Sequence, residues 1–532
     1  MQSSRTCNCK HSLTVSKSIK GCSMWASLIG VLAVAAIACP LSAKAEDISK
    51  QSPIVQTSSE NSDNLRQAGM NYAEACSFEN ARAKLEEDIA LNTNNDKSRL
   101  PESYLLLGNI YRLQGSYPEA TEWTMRGLTA LEKEKTGDKK RLSAAYNYLA
   151  LLKNSTGEFS ESEKNARKAL SLSIESGLGK ENEAMHRVVL ANALRQQGKF
   201  KEALPELETA TSVLKTSKDR RLFAAATNNL GALYFWMGDY QKAMPTIQDG
   251  LKQRLDLLGE NHPDVANSYL DLGCVEFKLG DVNSALEHLQ EAHEIRLGKL
   301  GAKHPETLSS SANLAVVLLS SGDLKRALEL LGQTVENGKL VLGVKNPDLA
   351  QYEDDYANAL AQDKQFDLAR TTQAEANAIR KSVFGSASRE YAAGLRSMAQ
   401  IESSAGNKKP CLQLLLKSLS IYTEHRNFPD QDLAETLDEI GYYYAENDEL
   451  EKARQTFVLA VREKLKTGNK ISYASSLANL SEILQRMNHK AESAVMLKKA
   501  VNAIETLPEG QRDTPDCKAI LEKYRLQKSV SE

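Results

Sequence analysis

A chain of 532 residues is too long for one ordinary compact core, which leaves several domains or a repeated array. Hydrophobic residues at 41% and charged residues at 26% exclude a disordered polymer. The 67 basic and 69 acidic residues leave no excess that would draw the chain to nucleic acid or to an anionic membrane surface.

The N-terminus reads as an export signal. Lys10, Lys17 and Lys20 precede an apolar run from Met24 to Ala38, and Ala43-Lys44-Ala45 gives a small-residue exit before Glu46. The run of 15 residues is short for a bilayer span, which needs roughly 20. Residues 1–45 are therefore expected to be removed, which takes away five basic residues and moves the net charge from −2 to −7. Two alternatives stay open: retention as a short anchor, and lipidation at Cys39, against which Pro40 counts. No later stretch is apolar enough to span a bilayer, so the expected location is periplasmic or extracellular, with no membrane contact after cleavage. Residues 46–62, "EDISKQSPIVQTSSENS", are polar and Ser-rich and read as a flexible tether.

Cysteine usage fits a chain that does not depend on disulfides. Cys7, Cys9, Cys22 and Cys39 lie in the segment to be removed. Cys76, Cys274, Cys411 and Cys517 are far apart, show no metal-ligand spacing, and read as small buried thiols.

From residue 63 to 507 the chain repeats. "LGENHPD" at Leu258 returns as "LGAKHPE" at Leu300 and "LGVKNPD" at Leu342, each 42 residues on, with a worn copy, "FGSASRE", at Phe384. Turn signals begin at Cys76, Gly115, Gly157, Gly198, Gly238, Gly280, Gly322, Lys364, Gly406, Asp448 and Asn488, spaced by 39 to 42 residues. A fixed period of this size means stacked repeats. Each unit carries small residues at three places. One lies seven residues before the turn (Gly108, Ala150, Gly231), one five after it (Ala120, Ser162, Ala243), and one seven further on (Gly127, Ala169, Gly250). Apolar residues recur at helical spacing on both sides of the turn. Two helices joined by a short turn pack antiparallel, and close approach of their axes demands small side chains. The expected fold is all-α: a right-handed α-solenoid of about eleven helix-turn-helix units. Residues 508–532 are expected to form a capping helix and tail, because Thr514-Pro515-Asp516 opens a last amphipathic stretch.

These columns resemble the tetratricopeptide repeat, W-x2-L-G-x2-Y, then A-x3-F, then P, although the Trp is absent and the period is longer. The extra length after the third column, as in "LKQRLDLLGENHPD", is similar to the kinesin-light-chain kind of repeat. The resemblance implies a long concave groove, lined by the first helix of each unit, that binds a peptide segment or a partner protein. It also implies which residues line it: those ten, nine, six and three before each turn. They include Arg112, Asn154, Asn192, Arg195, Asn228, Asn229, Phe235, Phe277 and Asn313, with Trp236 beside Phe235. Asn side chains both donate and accept, which suits a peptide backbone. The early arginines suit an acidic segment. Phe235, Trp236 and Phe277 suit an apolar anchor. The alternative is that the asparagines bond between neighbouring helices and the aromatics are core.

His262 and His304 recur one unit apart and read as structural, each before a proline at the first helical position. No nucleotide, hydrolase, metalloprotease or EF-hand motif is present, so neither an enzyme nor a cofactor is expected. Besides an exported interaction scaffold, the sequence leaves open a structural or assembly subunit of a cell-envelope or secretion machine, anchored at its N-terminus.

Overall fold

The computed structural model describes residues 58–134, 137–343, 345–424, 431–507, 512 and 515–531. The expected signal and most of the tether lie outside the described residues. Within them there are twenty-three α-helices and no strand.

Each repeat reverses at one left-handed residue. Gly115 has φ +76°, Gly157 +78° and Gly280 +89°. The four turns without glycine adopt the same conformation, with φ between 56° and 64° at Cys76, Lys364, Asp448 and Asn488. All eleven turn positions read from the sequence are therefore in this region. It lets the next amide reach back to the carbonyl five residues earlier, as Ser116 N does to Tyr111 O at 2.9 Å and Gln365 N to Leu360 O at 2.8 Å.

The chain divides into two compact units. The first holds most of the pairs α1 (Ser58–Glu74) with α2 (Phe78–Asn94), α3 (Leu100–Leu113) with α4 (Tyr117–Lys133), α5 (Lys139–Ser155) with α6 (Phe159–Ser176), α7 (Lys180–Gln196) with α8 (Phe200–Leu214), α9 (Arg220–Trp236) with α10 (Tyr240–Leu258), α11 (Pro263–Leu279) with α12 (Val282–Leu300), and α13 (Pro305–Ser321) with α14 (Leu324–Val341). The second, Leu319–Leu328 and Ala350 onward, holds α15 (Pro347–Gln362) apart from its first three residues, which belong to the first unit, with α16 (Phe366–Phe384), α17 (Arg389–Ser404) with α18 (Lys408–Glu424), α19 (Gln431–Glu446) with α20 (Leu450–Thr467), α21 (Lys470–Arg486) with α22 (Lys490–Glu505), and α23 (Pro515–Ser531). In this second unit α23 lies on α21 and α22, with Cys517 and Ile520 buried beside Leu497 and Ile504.

Small residues set the distance within each pair. Ala81, Ala120, Ala203, Ala243, Ala285, Ala369 and Ala453 are all fully buried. A Cβ added at Gly108 would come within 2.9 Å of the Thr124 backbone nitrogen, and one at Gly250 within 3.2 Å of the Asn228 backbone nitrogen. Where a polar residue takes a column position it bonds across the contact: Ser162 Oγ donates to Ala150 O at 2.8 Å. Asp88, in the third column of the first pair, accepts from Ser62 Oγ at 2.6 Å and from Asn92 Nδ2 at 2.8 Å. That network draws the chain into helix from Ser58, inside the stretch read as a tether.

In the first unit α3 also touches α5, α5 touches α7, and α7 touches α9, so first helices line the tighter, inner side. The long second helices end at glycines with φ near +80°, Gly259 at +77° and Gly301 at +86°. Each link then caps the next first helix. His262 Nδ1 accepts from Asp264 N at 3.1 Å, His304 Nδ1 from Glu306 N at 3.2 Å, and Asn346 Oδ1 from Asp348 N at 2.8 Å.

The same links bring the windings of this unit together. His262 Nε2 donates to Glu74 O at 3.2 Å, and His304 Nε2 donates to Leu113 O at 2.6 Å. Gly115 faces Pro305 so closely that a Cβ would stand 2.5 Å from the proline Cδ, and at Gly157 it would stand 3.3 Å from Pro347 Cγ. Arg221 Nη1 adds an ion pair to Glu74 at 2.5 Å. The starts of the sixth, seventh and eighth pairs thus meet the turns of the first, second and third.

Among the described residues no helix is long and apolar enough to cross a membrane. Cys274, Cys411 and Cys517 are buried and unbridged, and Cys76 is half-buried.

Two glycines separate packing from propensity. Gly108→Ala is expected to lower stability by about 1–3 kcal/mol, because its Cβ meets backbone. Gly298→Ala, in α12 with nothing within 4 Å, is expected to raise it by about 0.5–1 kcal/mol. Urea unfolding midpoints of the two variants check both signs.

Candidate partner-binding wall

The ten side chains expected to line a groove fall on the inner helices α3, α5, α7, α9, α11 and α13 of the first unit. Seven are buried: Arg112, Asn192, Arg195, Asn228, Asn229, Phe235 and Asn313. Asn154, Trp236 and Phe277 are half-buried. Most of the ten are therefore packed between helices in this structure rather than exposed along a groove.

Their partners differ along the wall. Asn228 Nδ2 donates to Asp271 Oδ2 at 2.7 Å, and its Oδ1 accepts from Ser268 Oγ at 2.7 Å, so this asparagine joins α9 to α11. Asn229 and Asn313 donate to carbonyls of their own helices, Ala225 O at 2.8 Å and Ser309 O at 2.9 Å. Asn192 is 2% exposed, yet neither of its amide atoms has a hydrogen-bond partner. Asn154 Oδ1 and one Arg112 terminal nitrogen share that condition. The Arg112 Nε donates to Asn109 Oδ1 at 3.0 Å. Burial lowers its pKa, while the Tyr117 and Glu306 charges oppose the shift.

Arg195 lies 5.9 Å from the Trp236 ring centroid. Burial pulls its pKa down to about 10 against the field of Asp271. Phe235 meets Trp236 edge-to-face with centroids 5.9 Å apart, and its other ring neighbour is Tyr240 at 5.7 Å. Phe277 stands one repeat on, on α11.

Three buried arginines share one repeat position that spacing alone could have flagged. Arg254, Arg296 and Arg380 each lie four residues after a third-column position. Arg254 Nη1 donates to Asp264 O and Ser268 Oγ, both at 2.8 Å. Arg296 Nη1 donates to Glu306 O at 2.9 Å. In the second unit Arg380 grips Asp354 at 2.6 and 2.7 Å. The first two guanidinium groups thereby fix the start of the following inner helix, whereas Arg380 bonds across its own pair.

His186 on α7 was also silent in the sequence. Its Nε2 lies 3.0 Å from Ser143 Oγ, which itself donates to Ala169 O at 2.8 Å. Its Nδ1 lies 3.0 Å from the Asn147 side-chain amide. A neutral ring donates through Nε2 and accepts on Nδ1 when the amide turns its nitrogen inward. That orientation employs the Asn147 Nδ2, which is otherwise without a partner. Burial holds the ring down to about 4. Among the described residues no cluster of three or more His, Cys, Asp or Glu could hold a metal.

Comparison with known proteins finds these repeats in the middle of the chain. Residues 141–216, 222–297 and 275–339 match the tetratricopeptide repeat family. A curated relative, KINESIN LIGHT CHAIN-RELATED 3 of Arabidopsis thaliana, is 26% identical over 165 residues, 31% of this chain. The match spans 25% of that relative's own length. Among solved structures, a kinesin-light-chain protein of nearly identical repeats from Podosopora anserina is 21% identical over 40% of this chain and 100% of its own, with a TM-score of 0.35. BtubC (BKLC) from P. vanneervenii is 22% identical over 46% of this chain and 93% of its own, at 0.33. A Rap protein complexed with competence and sporulation factor is 13% identical over 66% of this chain and 98% of its own, at 0.44. The chain thus carries tetratricopeptide repeats and shares sequence with kinesin-light-chain-related proteins.

The buried imidazole makes a pH prediction. Because the fold lowers its pKa from the ordinary 6.5 to about 4, the stability it confers is full above 6.5 and drains as the pH falls toward 4. Between pH 7 and pH 5 the parent is expected to lose about 2 kcal/mol more than His186→Gln. Chemical unfolding of both proteins at the two pH values measures the difference.

Proposed function

We propose that the chain is an exported scaffold whose inner wall binds an extended segment of a partner protein. Its repeats are those of an interaction fold. The observation that carries the binding reading is Asn192. A buried amide with four unused hydrogen-bonding positions costs about 1–3 kcal/mol, and folding alone gives no return for it. A peptide backbone supplies the donor and acceptor it lacks. The unused nitrogen of Arg112 adds a place for a carboxylate on the same segment.

Export rests on Lys10, Lys17, Lys20, the Met24–Ala38 run and the Ala43-Lys44-Ala45 exit. A mature chain beginning at Glu46 is expected. Intact mass after expression in a bacterium with an outer membrane, fraction by fraction, tests that start and its compartment.

Binding and folding part company at Asn192. Asn192→Leu is expected to keep or raise the melting temperature, since it removes orphaned polar atoms, while reducing capture of peptides selected from a phage-displayed dodecapeptide pool by about tenfold or more. A variant that binds the selected peptides as the parent does removes Asn192 from the site.

A further inference from the structure

We infer that the three link-to-turn contacts of the first unit form a clasp that gates the inner wall, an inference that rests on reading that wall as the binding surface. The contacts recur in register. His262 meets Glu74, His304 meets Leu113, and Pro347 meets Gly157, separations of 188, 191 and 190 residues. Each falls where a first winding would have to move for the wall to open. Leu113, whose carbonyl His304 holds, follows Arg112 directly. Gly157, under Pro347, stands three residues after Asn154. The charge of Glu306, the residue after Pro305, reaches Arg112 itself.

The clasp is also the weaker of the two kinds of joint in this unit. Within and between successive pairs, fully buried Ala, Leu and Val side chains interlock along whole helices. Among the described residues the bonds across the windings include two imidazole N–H groups on carbonyls, two prolines laid on turn glycines, and an ion pair in which Arg221 is 44% and Glu74 28% exposed. Solvent screens such a pair. Local opening follows the lowest-energy route, so the windings part before any pair unstacks. The links carry out two roles with one ring. Nδ1 caps the helix that follows and Nε2 holds the winding beneath. A neutral imidazole is the side chain that can accept on one side and donate on the other.

The test locks and loosens the clasp. Arg221→Lys places an amine against the Glu74 carboxylate, and a carbodiimide then joins the two as an amide with loss of water. The same treatment of Arg221→Lys with Glu74→Gln modifies every other surface pair but leaves the clasp unlinked. Arg221→Ala with His304→Ala loosens it, and Glu74→Ala serves where that double variant melts early. Hydrogen–deuterium exchange across residues 258–264 and 300–306 reads opening without any ligand. Exchange is expected to slow by about tenfold in the locked protein and to quicken by about as much in the loosened one, relative to the unlinked control. Equal exchange in all three overturns the clasp. Dodecapeptides selected by phage display then test the gate. Loosening is expected to raise apparent affinity by about threefold or more, and locking to abolish capture. Capture that is equal in locked and loosened proteins overturns gating and leaves the wall as a binding surface. Failure of even the loosened protein to retain any peptide overturns the binding reading, while the exchange result still decides the clasp.

Discussion

Two helix backbones can lie almost in contact only where side chains are nearly absent, and the architecture follows from that constraint. The fully buried alanines of each pair, and glycines such as Gly108 and Gly250, set the approach. A pair so flattened has an apolar stripe on each broad side that only another pair can cover. The left-handed turn residue reverses the chain, and the arginine on the second helix reaches forward to fix where the next pair begins. Stacking is thus dictated residue by residue.

Polar groups on the inner side divide according to whether the neighbouring repeat supplies a partner. Asn228 finds Asp271 and Ser268 on the next inner helix, and His186 finds Ser143 and Asn147 on the previous one. Such pairs hold the repeats in register at little cost. Asn192 finds neither, though it is as deeply buried. That contrast within one surface, rather than the mere presence of asparagine, separates framework from candidate contact.

Much of the framework was legible because it is local. Every turn position could be read, even where Lys364 or Asp448 replaces glycine, since small-residue columns flank it on both sides. The prolines after His262 and His304 were read as helix starts. Why either His or Asn stands before a link proline became clear only from their shared capacity to accept the amide two residues ahead. The start of α1 was misjudged because a Ser-rich stretch looks solvated, whereas Ser62 is fully buried against Asp88. Burial of the wall was open only as an alternative, one that Asn228, bonded to the next inner helix, and the buried Phe235 follow. It depends on how tightly the coil winds, which sums small rotations over many repeats, and the contacts that record the winding join residues nearly two hundred apart with no shared motif.

That long separation bears on the order in which the molecule comes into being. Hairpins of about forty residues stack as they leave the ribosome, whereas contacts between distant residues close late. Glu74, Leu113 and Gly157 are in place long before His262, His304 and Pro347 have been made. The nascent chain therefore passes through an interval in which its earliest windings have a finished surface and nothing lying across it, a window in which a chaperone or a partner translated nearby meets a more accessible protein than the completed one.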